Sequence, residues 1–330
     1  MTPKAPSSKE AWIQLNERQA TGTGRLLLLL LLLTLPVVVQ AQFTYTTNKG
    51  AITITGYTGP GGAVLIPDAI SGLPVTCIGS GACSNCWRMT SVTIPQSVTQ
   101  IEPGAFYDCN GLTNVTIGTN VTSIADEAFY SCYRLTSVTI PNSVIILGDE
   151  TGKGVFYYCH ALTNVTIGNS VAWISSLAFY DCYSLTNVTI PHSVTNMGAA
   201  VFAYCSSLTG VYFKCNPPSI GSTLFYGDDK MTVYYLPRTT GWGSTFGGRP
   251  TALWNPLIQT SNASWGVRTN PFGFNIVGTP SIPIVVEAST NLTSASWTSL
   301  QSCTLTNGSI YFSDPQWTNY VIRFYRIRSP

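Results

Sequence analysis

Residues 162–190 read LTNVTIGNSVAWISSLAFYDCYSLTNVTI, and the segment closes on the six letters it opens with. Outward from it the same phrase recurs. Val92, Val115, Val138, Val165, Val188 and Val211 begin successive units spaced 23, 23, 27, 23 and 23 residues apart, and Cys86, Cys109, Cys132, Cys159, Cys182 and Cys205 keep the same steps. The unit is V-T-I-P/G-x-S-V-x-x-I-x-x-x-A-F-Y-x-C-x-x-L-T-N. A fixed period in this range is the mark of a solenoid in which each unit builds one coil. The longer unit carries a four-residue insertion, placed within GDETGKG at Gly148–Gly154.

Each position in the unit has a physical reading. In L-T-N-V-T-I, Val and Ile alternate with polar residues, which is the pattern of a strand with one buried face. Val115 and Ile117 therefore point inward, and Asn114 and Thr116 outward. Val121–Ile124 reads as a second extended side. Pro95, Pro141 and Pro191, alternating with Gly118 and Gly168, end the first strand. AFYDC lacks alternation and is expected to form one helical or 3₁₀ turn. A single coil cannot bury enough apolar surface to offset the entropy of ordering its backbone, so coils must stack. Phe106, Phe129, Phe156, Phe179 and Phe202 form an inward ladder.

Ten cysteines in an exported chain invite a disulfide framework. Six of them share one slot in consecutive coils, where the parallel side chains are too far apart to bridge, so a ladder of free thiols is expected. Cys83 and Cys86 form a lone C-x-x-C, but Cys83 takes the slot that Phe106 fills in the next unit. No second cysteine pair or histidine completes a metal site. The redox state of Cys77, Cys83, Cys215 and Cys303 is left open.

The unit, notably VTSIADEAFYSCYRLTSVTIPNSV at 121–144, resembles the BspA-type leucine-rich repeat of bacterial cell-surface proteins. TGYTGPGGAVLIPDAISGLPVTCIG at 55–79 is similar to that family's opening coil, and the resemblance spans roughly Ala51 to Trp254. It implies a curved right-handed solenoid, a role in adhesion or protein binding at the cell surface, and no catalytic residues to carry over. Two departures are Cys83 in place of the first Phe and the insertion.

The expected fold is mainly β: a right-handed leucine-rich-repeat solenoid of short strands and helical turns, followed by a small antiparallel β-sandwich. Residues 1–41 are read as a signal peptide, with Arg25 ahead of the apolar run Leu26–Val39 and Val39-Gln40-Ala41 as the cleavage site. The run is too short to cross a bilayer, so no membrane span is expected after cleavage. The polar stretch before Arg25 leaves Met1 open as the true start. Residues 42–91 form an N-terminal cap and first coil, and 92–210 the repeat units. Residues 211–254 form a degenerate last repeat and C-terminal cap. Residues 255–330 carry five or six short alternating runs, among them IPIVVEAST, GSIYFSD and YVIRFYRIR.

Losing 1–41 removes Lys4, Lys9, Arg18, Arg25, Glu10 and Glu17, which leaves 12 basic and 12 acidic residues. Nucleic acid has no electrostatic basis as a partner, and binding should depend little on salt. No catalytic, cofactor or metal residues are assigned. His160 and His192 occupy variable outward positions. The slot of Asp108 and Asp181 is Ser131 and Tyr158 in other coils, so no carboxylate dyad repeats.

An exported, non-catalytic scaffold that binds an extracellular protein or glycan is therefore expected. Its candidate face is Thr93, Asn114, Thr116, Thr139, Asn164, Thr166, Asn187, Thr189 and Tyr212. Tyr107, Tyr130, Tyr157 and Tyr180 are either an exposed aromatic strip or rings lying flat with wet hydroxyls. The alternatives are a structural envelope protein, an enzyme or carbohydrate-binding function in the C-terminal region (acids Glu287 and Asp314), and ice binding by the threonine ladder.

Overall fold

The computed structural model describes residues 42–260, 266–267, 272–293 and 296–329; the segment read as a signal peptide lies outside them. The chain winds as a right-handed, mainly β solenoid. An antiparallel hairpin, Phe43–Asn48 with Ala51–Tyr57, starts it. The second hairpin strand pairs in parallel with Leu73–Ile78. From there each coil adds a two-residue strand to the same sheet: Gln100–Ile101, Ser123–Ile124, Ile146–Leu147, Trp173–Ile174, Asn196–Met197 and Ser219–Ile220. These are the second extended side expected from the sequence.

The L-T-N-V-T-I segments form the other wall. Asn114–Thr116, Ser137–Thr139 and Asn164–Thr166 pair in parallel and in register. Asn187–Ile190, Gly210–Phe213, Thr232–Tyr235 and Arg249–Leu253 continue the wall as a second parallel sheet. Their inward side chains are buried: Val115, Val138, Val165, Val188 and Val211 are at most 6% exposed.

Between the walls runs the phenylalanine ladder, extended by Phe225. Its rings are nearly parallel, with centroids 5.2–5.4 Å apart up to Phe202 and 6.1 Å apart at the last step. Beside it all ten cysteines are free thiols. From Cys109 on, each ladder thiol donates to a carbonyl of the previous coil: Cys132 to Phe106 at 3.4 Å, Cys182 to Phe156 at 3.2 Å and Cys205 to Phe179 at 3.1 Å, for example. The cysteine slot thus buries a small apolar side chain and satisfies a buried carbonyl.

The helical turns expected at AFYxC are absent. A helix keeps its successive N–H groups within its own segment, whereas here alternate ones leave it. Gly104, Phe106 and Asp108 donate to Asp126, Ala128 and Tyr130 of the next coil at 3.2, 2.8 and 2.8 Å. Only the residues between them, Ala105 and Tyr107, bond back three positions. Gly104 (φ 65°) and Asp108 (φ 58°) are also left-handed, as are Glu127 and Ser131, Leu177 and Asp181, and Ala200 and Tyr204 in other coils. A left-handed residue every fourth position breaks any right-handed run. The slot shared by Asp108 and Asp181 is therefore a backbone requirement. Among the described residues a single 3₁₀ turn, Trp317–Asn319, lies outside the coils.

The alternation of proline and glycine has a packing cause. A Cβ on Gly118 would collide with the carbonyl of Pro95, and one on Gly168 with that of Pro141. The insertion is organised by Asp126, which is 1% exposed. It accepts from Thr151 Oγ1 at 2.9 Å, the Lys153 amide at 2.9 Å and Ser175 Oγ at 2.8 Å. Burial pushes its carboxyl up, and these donors oppose the shift.

The C-terminal region is two antiparallel sheets. Phe272–Val277 pairs with Leu257–Gln259 and Ser309–Asp314, and Pro283–Ser289 pairs with Thr298–Thr304 and Phe324–Arg328. Phe274, Ile276, Ile284, Val286 and Phe312 fill the space between them, together with Tyr212 and Tyr234 of the solenoid. The indole N–H of Trp254 donates to the Pro283 carbonyl at 2.9 Å, fixing the junction.

Candidate binding face

Two kinds of threonine stand on the outside of the solenoid, and their hydrogen bonds separate them. Thr113, Thr136, Thr163 and Thr209 each donate a hydroxyl to the equivalent carbonyl one coil back, at 2.9–3.2 Å. Their polarity is spent on the fold. Thr93, Thr116, Thr139 and Thr166 are exposed, and their hydroxyls make no hydrogen bond among the described residues; the same holds for the amides of Asn114 and Asn164. Strand pairing sets these side chains in register, about 4.8 Å apart. Thr189 and Asn187 are half-buried, and Asn187 Oδ1 accepts from Thr209.

Tyr212 continues the row but is not on an open surface. It is 3% exposed, stacked on Tyr234 at 4.8 Å and set edge-on to Trp254. The C-terminal region covers it, which no local pattern in the sequence reveals.

Tyr107, Tyr130, Tyr157 and Tyr180 are half-buried and stack on one another at 4.7, 5.0 and 4.5 Å. Tyr158 stands edge-on to Tyr157 at 4.3 Å. Burial raises the Tyr107, Tyr130, Tyr157 and Tyr180 hydroxyls above their ordinary range. The ring faces that a sugar would stack on are occupied by neighbouring rings, so the strip offers edges and hydroxyls. A second aromatic row was not singled out from the sequence: Tyr133, His160 and Tyr183, with centroids 5.0 and 4.6 Å apart. Tyr133 and Tyr183 are 38% and 45% exposed. The 27- and 23-residue steps from Tyr133 to His160 to Tyr183 were the available signal.

Elsewhere the acids of the C-terminal region are engaged within the fold. Among the described residues no three His, Cys, Asp or Glu side chains gather as metal ligands. Asp314 is committed to Arg323 at 3.0 Å and to the Tyr325 hydroxyl at 2.8 Å. Glu287, 4% exposed, accepts from Arg326 Nε at 2.8 Å and Arg328 Nε at 2.6 Å. Desolvation pushes the Glu287 carboxyl up, but the two guanidiniums outweigh it and hold the carboxyl below its usual range. His160 Nε2 lies 3.5 Å from Asp181 Oδ2, with no nucleophile beside it.

The chain matches the BspA type leucine rich repeat region, in six copies, over residues 76–151 and 149–243. It belongs to the BspA-type leucine-rich-repeat family. This BspA-type chain is similar to the leucine-rich repeat protein of T. pallidum: 31% identity, a TM-score of 0.53, and cover of 58% of this chain and 88% of that one. A leucine-rich repeat protein of Bacteroides capillosus is 31% identical, with a TM-score of 0.34 over 38% of this chain and 94% of its own. A leucine rich cell surface protein of Faecalibacterium prausnitzii is 24% identical, with a TM-score of 0.36 over 58% and 74%. No curated protein matches. As a BspA-type repeat protein the chain is a non-catalytic solenoid scaffold with the fold of extracellular leucine-rich-repeat proteins. Among the described residues no helix is long and apolar enough to cross a membrane.

Proposed function

We propose that this BspA-type solenoid is exported to the bacterial cell surface, where it binds a protein or glycan through its strand face. One observation carries the reading: Thr93, Thr116, Thr139, Thr166, Asn114 and Asn164 are exposed and unengaged. The neighbouring threonine rows, by contrast, are tied to carbonyls. Regularly spaced, unused donors and acceptors on a rigid sheet suit a ligand that is itself polar and repetitive, because little ordering cost remains to be met on the protein side. The signal-like segment ahead of Gln42 supports export.

The test is a screen of residues 42–330 against arrays of glycans and cell-surface proteins. The expected result is a ligand that is lost on Thr116→Trp and Thr139→Trp, which crowd the face without disturbing the core, and retained on Tyr107→Ala. A ligand indifferent to both threonine changes would move recognition elsewhere on the chain.

A further inference from the structure

The strand face does not stay open along its whole length. Arg326, Ile327, Arg328 and Ser329 return over the coils and form one wall of a cleft of about 730 Å³, within the ~300–1,000 Å³ common for ligand sites. Thr139, Asn164, Thr166, Asn187 and Thr189 line the opposite wall. The cleft is also where charge collects. Lys214, exposed in the slot that holds Pro191 one coil earlier, lines it together with Arg326 and Arg328, and no acidic residue does. Glu287 is the single carboxylate paired with both arginines, whose side chains remain 46% and 43% exposed. Three cations against one buried anion leave a net positive cleft in a chain that is only 9% charged. Arg326 is held in place by the Trp297 ring, 4.3 Å from its guanidinium carbon.

We infer that this cleft binds an acidic oligosaccharide of the uronic acid class. Its carboxylates would pair with Lys214, Arg326 and Arg328, and its hydroxyls with the Thr and Asn row. Guanidinium and ammonium groups supply charge-assisted hydrogen bonds to carboxylates. Side-chain amides and hydroxyls both donate and accept, as sugar hydroxyls require. A peptide fits less well. Of the apolar residues in the lining, Ile140, Val165 and Ile167 are at most 6% exposed and Ile327 is half-buried and packed on the core of the C-terminal sheets, so little apolar surface is offered to an anchoring side chain. The inference rests on the strand face being a recognition surface and names the ligand for its covered end. It also replaces the weak salt dependence expected from a balanced total charge, since clustered charges act locally.

The experiment is calorimetric titration of residues 42–330 with oligogalacturonate, with its methyl ester, and with poly-glutamate of equal charge. Oligogalacturonate should bind, and the ester and about 0.5 M salt should each weaken it by about tenfold. Lys214→Glu should cost about tenfold with Tm unchanged; Arg326→Gln, which leaves Arg328 on Glu287, should cost a similar factor. Equal binding of the ester, tighter binding of poly-glutamate, or indifference to both substitutions would overturn the inference. A protein that binds other ligands at Thr116 and Thr139 but no uronate loses only the cleft assignment; one that binds nothing on this face loses both readings.

Discussion

Asp228 stands one coil after Cys205 as its equivalent: the Cys205 amide donates to Phe202 at 3.3 Å, and the Asp228 amide to Phe225 at 3.2 Å. The ladder of thiols therefore ends on a carboxylic acid that is 2% exposed, with neither carboxyl oxygen hydrogen-bonded among the described residues. Burial pushes its pKa up to about 7, against the opposing pull of Arg249.

Because the folded pKa lies above the unfolded value of 3.8, the native state holds the proton more tightly. The stability linked to this group is fully present below the unfolded pKa and falls as pH rises towards 7. Asp228→Cys, which restores the ladder, should raise Tm by several degrees at pH 8 and by little at pH 4. Thermal unfolding across that range checks it; a constant difference between the two proteins would contradict the ionisation argument.

Gly168→Ala should destabilise the array by about 1–3 kcal/mol, because the new methyl meets a backbone carbonyl that cannot swing aside. Urea unfolding of the variant beside Pro141→Gly, which adds no atoms, separates the collision from the loss of proline.

Asp126→Ala should cost about 2–4 kcal/mol, as several donors around the insertion lose their acceptor. The loosened segment contains Lys153, so limited trypsin digestion should cut there faster in the variant than in the native protein.

The thiols should differ sharply in reactivity. Cys86 is half-buried and held below its ordinary pKa by a hydrogen bond with Cys109. Burial pushes Cys132 up to about 12 and Cys159, Cys182 and Cys205 well above the ordinary value. Brief alkylation at pH 8 followed by peptide mass mapping should find Cys86 labelled and these four untouched until urea is added. Reductant should leave Tm unchanged.

The solenoid was legible in the sequence because its rules are local and repeated: Val115 and Ile117 in, Asn114 and Thr116 out, Phe106 and Cys109 one step from Phe129 and Cys132. The helical turn at AFYDC was misjudged because the partners of Phe106 and Asp108 lie 22 residues along the chain, where no local pattern points. Tyr212 continues the Thr189 row by register, yet its burial depends on strands more than 60 residues away. The cleft was hidden for the same reason: Thr166 and Arg328 meet only after the C-terminal region folds back.

Gly118 and Gly168 each receive a proline carbonyl where a Cβ would stand. The fit belongs to these two steps, because Pro95 follows Pro67 and Lys214 follows Pro191 in register. A coil moved elsewhere in the array would keep its strands and its ladders and still meet a different neighbour at that slot. Coils alike in length are therefore not interchangeable in position.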